Sequence, residues 1–168
     1  MSLGIAIFTF VHVALSLVGI AAGFVVVFGL ISSKQLDKWT KLFFATAVVT
    51  SLTGFLFPFH KLLPSHVIGL ISLVALTIAF LALYARRLNG AWRWIYVVNI
   101  VTALYLNVFV LVAQAFLKVS ALKATAPTQS EPPFLVAQLV VMALFVLLGI
   151  FAVKKFHPAP IRGAVAFA

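Results

Sequence analysis

Five stretches of the chain carry no charged side chain: Ile5 to Ile31, Leu42 to Phe59, Val67 to Tyr84, Trp94 to Leu117 and Phe134 to Val153. They are 27, 18, 18, 24 and 20 residues long, and roughly 17–25 apolar residues suffice to cross a bilayer as a helix. In hydrocarbon every backbone polar group has to be satisfied within its own segment, which selects helices over open strands. The period-two alternation of barrel strands is absent. The pattern therefore predicts an all-α polytopic membrane protein, a bundle of five transmembrane helices forming a single domain over residues 1–168. The alternative to two full spans for the short second and third stretches is a re-entrant hairpin. The first stretch lacks a basic start and a small-x-small site and exceeds the 7–15 apolar residues of a secretion signal, so it is read as a retained helix.

Composition agrees with this reading: 65% of residues are hydrophobic and 8% charged, far from the averages of a soluble domain. The absence of cysteine excludes disulfides, thiolate metal sites and a cysteine nucleophile. The formal charge of +10, from twelve Lys and Arg against Asp37 and Glu131, raises the question of a nucleic-acid partner. Position answers it. Nine cations (Lys34, Lys38, Lys41, Arg86, Arg87, Arg93, Lys154, Lys155 and Arg162) fall on one side of the predicted bundle and three (Lys61, Lys118 and Lys123) on the other. Loops rich in Lys and Arg stay in the cytoplasm, so the N-terminus is expected outside and the C-terminus inside. Trp39, Trp92 and Trp94 fall near the same cytoplasmic boundary. The expected partner of the positive charge is the lipid bilayer, with no nucleic acid.

Polar side chains inside a span are functional candidates. His12 lies about 10 Å into the first helix at 1.5 Å per residue. His60 closes the second stretch and His66 opens the third, so three histidines gather at the outer face, while His157 belongs to the cytoplasmic tail. Asn107, Gln114 and Gln138 share the outer half, and Asn99 sits nearer the inner end. No carboxylate falls in any span, which disfavours a proton pump or an ion-coupled carrier. Small residues accompany the histidines: His12, Ser16, Gly19 and Gly23 on the first helix, His66, Gly69, Ser72, Ala75 and Ala79 on the third, and Thr46, Thr50, Thr53 and Gly54 on the second. Such stripes let helices approach closely. Beside a histidine they also leave a flat slot for a planar cofactor. Gly19 and Gly23 form a G-x-x-x-G, which serves either the bundle or a dimer.

Three classes of function follow. In the most concrete, His12 and His66 ligate one haem b between them, Gly19 and Gly69 leave room for the macrocycle, and Asn107, Gln114 or Tyr105 bonds a propionate or quinone oxygen. Quinol oxidation would then be the reaction. In the second, His12, His60, His66 and Glu131 converge on Zn²⁺ or copper, with the extracytoplasmic loop 119–133 folding down as a lid. In the third, the chain is a non-catalytic accessory subunit or scaffold packed against another membrane protein. A small-solute pore or carrier is a further alternative.

The runs Thr53-Gly54-Phe55-Leu56-Phe57-Pro58-Phe59-His60-Lys61, Pro64-Ser65-His66 and Pro127-Thr128-Gln129-Ser130-Glu131-Pro132-Pro133-Phe134 resemble a family of small, uncharacterised inner-membrane proteins of proteobacteria over nearly the whole chain. The resemblance implies a bacterial cytoplasmic membrane and carries no activity, cofactor or site residue with it.

Overall fold

The structure, a computed structural model, describes residues 3–57 and 64–157. Among these residues all regular structure is helical: α1 (Leu3–Ile31), α2 (Asp37–Gly54), α3 (Pro64–Phe80), α4 (Trp92–Lys118), the short α5 (Ser120–Thr125) and α6 (Pro132–Lys155). A π-helical turn, Leu81–Ala85, prolongs α3. Helix α4 is central and packs against α1, α3 and α6, while α2 lies between α1 and α3.

Four helical segments are long and apolar enough to cross a membrane: Leu3–Ile31, His66–Ala85, Trp92–Lys118 and Pro132–Lys155. Helix α2 differs from them. Asp37, Lys38 and Lys41 occupy its start, which leaves Leu42 to Gly54 as its charge-free part. Thirteen residues rise about 20 Å, less than the roughly 30 Å of a hydrocarbon core. The helix had been expected to run to Phe59. It ends at Gly54, where the Phe55 and Leu56 amides donate to the carbonyls of Leu52 and Thr53 at 3.2 and 3.0 Å and close the last turn. Residues 58–63 lie outside the described part, and with them His60 and Lys61.

The core is concentrated at one end of the bundle. Val26, Val27 and Leu30 of α1, Phe43 and Ala47 of α2, Leu76 and Ala79 of α3, and Tyr96, Val97, Ile100 and Leu104 of α4 are all buried there. Phe156, just beyond α6, is fully buried and meets the Tyr96 ring at 6.2 Å between centroids. This base is closed by the chain itself. Ser33 Oγ donates to the His157 carbonyl at 2.8 Å and accepts from the His157 amide at 2.9 Å, and Arg93 Nη1 donates to the Phe156 carbonyl. The other end is looser: none of residues 3–18 of α1 is buried.

The G-x-x-x-G serves the bundle. A Cβ at Gly23 would stand 2.6 Å from Leu104 Cδ1 and 2.9 Å from Phe43 Cε2, and one at Gly19 would stand 2.8 Å from Thr46 Oγ1. Both glycines are buried where α1 crosses α2 and α4. Gly19 is therefore a packing residue of the α1–α2 contact and does not border a cofactor slot as expected.

Candidate functional site: a polar pocket beneath the end of α2

Because α2 ends early, the four helices α1 to α4 enclose a pocket at the level of its last turns. Its walls are His12 and Ser16 of α1, Thr50, Ser51 and Gly54 of α2, Ile68, Gly69 and Ser72 of α3, and Leu106, Asn107 and Val110 of α4. Among the described residues no charged side chain lines it, and its volume is about 90 Å³.

Two hydroxyls that line this space are unpaired, as those of Thr40 and Tyr96 also are in the closed base. A helical Thr or Ser usually satisfies its hydroxyl on the carbonyl one turn back. Thr46, Thr53 and Thr77 do so, at 2.7, 2.7 and 2.8 Å from the carbonyls of Leu42, Val49 and Leu73. Thr50 and Ser72 line the pocket with only 9% and 3% of their surface exposed, yet neither Oγ has a hydrogen-bond partner. A buried hydroxyl left unpaired costs roughly 1–3 kcal/mol, so two at one cavity call for a polar occupant. Asn107 commits Nδ2 to the Ala103 carbonyl at 2.8 Å, which leaves its Oδ1 as an acceptor.

His12 is fixed by a bond that its position in the sequence does not announce. Its Nδ1 lies 2.8 Å from Thr53 Oγ1, forty-one residues away, and Phe57 packs edge-on against the ring at 5.1 Å. His66 is also buried, but it does not line the pocket and instead meets the Phe55 ring at 5.5 Å. The two imidazoles thus rest on different phenylalanines of the segment following α2, and only His12 lines the pocket.

A haem does not fit this arrangement. Ligand sites for molecules of that order occupy roughly 300–1,000 Å³, several times the space present, and of the expected pocket residues only His12, Gly69 and Asn107 border it. A Cβ on Gly69 would meet the Phe55 ring at 3.4 Å. Gln114 is exposed on α4 and takes no part in the pocket.

The expected metal cluster does not assemble among the described residues either: no three His, Asp or Glu side chains converge there. The Glu131 carboxylate turns into its own loop, accepting hydrogen bonds from Thr128 Oγ1 at 2.8 Å and from the Thr128 and Ser130 amides at 3.2 and 3.1 Å. Partial desolvation raises the Glu131 pKa, but these hydrogen bonds outweigh it and hold the carboxyl below its ordinary value. Segment 119–133 is tied down on α4, since Gln129 Nε2 donates to the Ala113 carbonyl at 2.6 Å and Ala126 is buried. It is not a lid that brings Glu131 to the histidines.

Comparison with protein-family models, with curated proteins and with solved structures gave no match to this chain.

Proposed function

We propose that the chain is a multi-pass protein of the bacterial cytoplasmic membrane that binds a small ligand in the pocket around His12. In this reading α2 completes a five-helix bundle, the N-terminus faces outward, and the base, with the eight described cations of its side, faces the cytoplasm. Support for the placement comes from four long apolar helices, from the distribution of Lys and Arg, and from the resemblance carried by residues 53–61, 64–66 and 127–134. The pair of buried hydroxyls on Thr50 and Ser72 carries the binding role, because both border one cavity with room for an occupant, whereas the unpaired hydroxyls of Thr40 and Tyr96 lie in the closed base. The site holds neither a carboxylate nor a nucleophile poised by a base, so binding rather than catalysis is its role.

The absence of cysteine makes a direct test available. Ser72→Cys and Ala79→Cys introduce single thiols two turns apart on α3, and each is offered methyl methanethiosulfonate, a small uncharged reagent, in the full chain in nanodiscs. Ser72→Cys should react and Ala79→Cys, which lies in the closed base, should not. An inert Ser72→Cys, or one no more reactive than Ala79→Cys, defeats the reading.

A further inference from the structure

The hydrogen bonds around His12 determine which of its nitrogens is available to a ligand. Thr53 Oγ1 has one proton, and that proton goes to the Val49 carbonyl, 2.7 Å away. Were it aimed at His12 instead, the hydroxyl and carbonyl oxygens would face each other at 2.7 Å with no hydrogen between them. Thr53 Oγ1 therefore accepts, and His12 Nδ1–H donates to it. With no charged group along the pocket to balance an imidazolium, the ring is neutral. A neutral imidazole that carries its proton on Nδ1 has a bare lone pair on Nε2. Among the described residues nothing bonds to that Nε2. The pocket thus combines one nitrogen acceptor with two hydroxyls that donate or accept and with the Asn107 oxygen.

We propose that the ligand is a neutral molecule with an aliphatic hydroxyl, whose O–H donates to His12 Nε2 while its oxygen accepts from Thr50 or Ser72. Charge is excluded by the uncharged lining, since an unpaired ion in such a site is costly. Size is limited to a small molecule or a small end group: a volume of about 90 Å³ is well below the roughly 300–1,000 Å³ of drug-sized ligand sites. An O–H satisfies an imidazole lone pair and a hydroxyl donor with a single atom, and Ile68, Leu106 and Val110 in the lining favour one that carries an aliphatic group over water. A ketone, an ether or a quinone carbonyl offers no proton to Nε2. The hydroxyl can arrive on a free small alcohol or at the end of a neutral glycerolipid whose acyl chains stay in the bilayer. This inference rests on the pocket being a ligand site at all, and the two fail differently.

The test uses the full chain in nanodiscs with ¹⁵N-labelled histidine, assigned by comparison with His12→Gln. Without ligand, the His12 ring should show Nδ1 protonated and Nε2 bare. Three probes follow: 1-propanol, dioleoylglycerol, and methyl ethyl ether as the matched molecule without an O–H. A shift of the Nε2 resonance with propanol or with dioleoylglycerol, and none with the ether, supports the proposal and identifies the source. Ser72→Ala should weaken that binding by about threefold to tenfold, the value of one hydrogen bond. A proton on Nε2 in the free protein, or equal shifts with ether and alcohol, overturns it. No response to either alcohol while Ser72→Cys reacts and Ala79→Cys does not also overturns the ligand class but leaves the pocket reading standing. An unreachable Ser72→Cys removes the pocket reading itself.

Discussion

Replacing Gly23 with alanine puts one methyl group into the tightest contact of the bundle. The new carbon would stand 2.6 Å from Leu104 Cδ1 and 2.9 Å from Phe43 Cε2, whereas carbon atoms pack at about 3.5–4.0 Å. Both neighbours are buried, so neither side chain can swing clear, and α1 must move away from α2 and α4 by roughly 1 Å. Overpacking of this kind costs about 1–3 kcal/mol. Alanine also improves helix propensity by up to about 1 kcal/mol over glycine, which would hide part of that cost. Gly149→Ala corrects for this, because its Cβ would meet Val101 Cγ1 at an ordinary 3.6 Å. The difference between the two variants isolates the clash, and Gly23→Ala should be the less stable by about 1–3 kcal/mol. Reversible unfolding in mixed micelles with rising dodecyl sulfate, followed through the fluorescence of Trp39, Trp92 and Trp94, measures it. Equal midpoints for the two variants would refute the reasoning. A Gly23→Ala chain that folds normally but loses self-association would place the G-x-x-x-G in a dimer.

Two further outcomes follow from the ends of the bundle. Ser33→Ala removes both hydrogen bonds to His157, and exchange of the His157 amide should rise by about twofold to tenfold per bond lost, with no change at Asn107; unchanged exchange at His157 would show that the clasp contributes nothing. The Glu131 carboxyl, held below its ordinary value by Thr128 and Ser130, stabilises its turn above the usual glutamate range near about pH 4.3 and loses that contribution as pH falls through its own lowered value. A carboxyl ¹³C titration should therefore show a midpoint below that of a free glutamate, and a midpoint at or above it contradicts the hydrogen-bond geometry.

Helices were legible where hydrophobic length decided the matter. The spans beginning at Ile5, Val67, Trp94 and Phe134 all fall within observed helices, with ends displaced by a few residues. The end of α2 was not read, because Phe55, Leu56 and Phe57 are as apolar outside a helix as within one. The one local signal was Pro58, since a proline disfavours helical backbone in the residue before it. His12, Gly69 and Asn107 were found as pocket residues because polar or small positions are conspicuous in a membrane span. The roles of Thr50 and Ser72 were hidden: both were visible within small-residue stripes, but a back-bonded hydroxyl and an unpaired one are spelled the same way. The distinction between Gly19 as a slot and Gly19 as a packing contact depends on Thr46, twenty-seven positions further along. His12 depends likewise on Thr53. Pairings over such distances belong to the tertiary fold alone.

The clasp between Ser33 and His157 joins the first connecting turn to the residue two positions past the last helix. A ribosome delivers these two partners at opposite ends of synthesis. The first turn therefore waits, with Ser33 unengaged, while the central helices are handed to the bilayer, and the base locks only after residue 157 has left the exit tunnel. A stalled or cleaved product that stops within α6 has no clasp, so a quality-control protease would meet an open base on it and a closed one on a chain that includes residue 157.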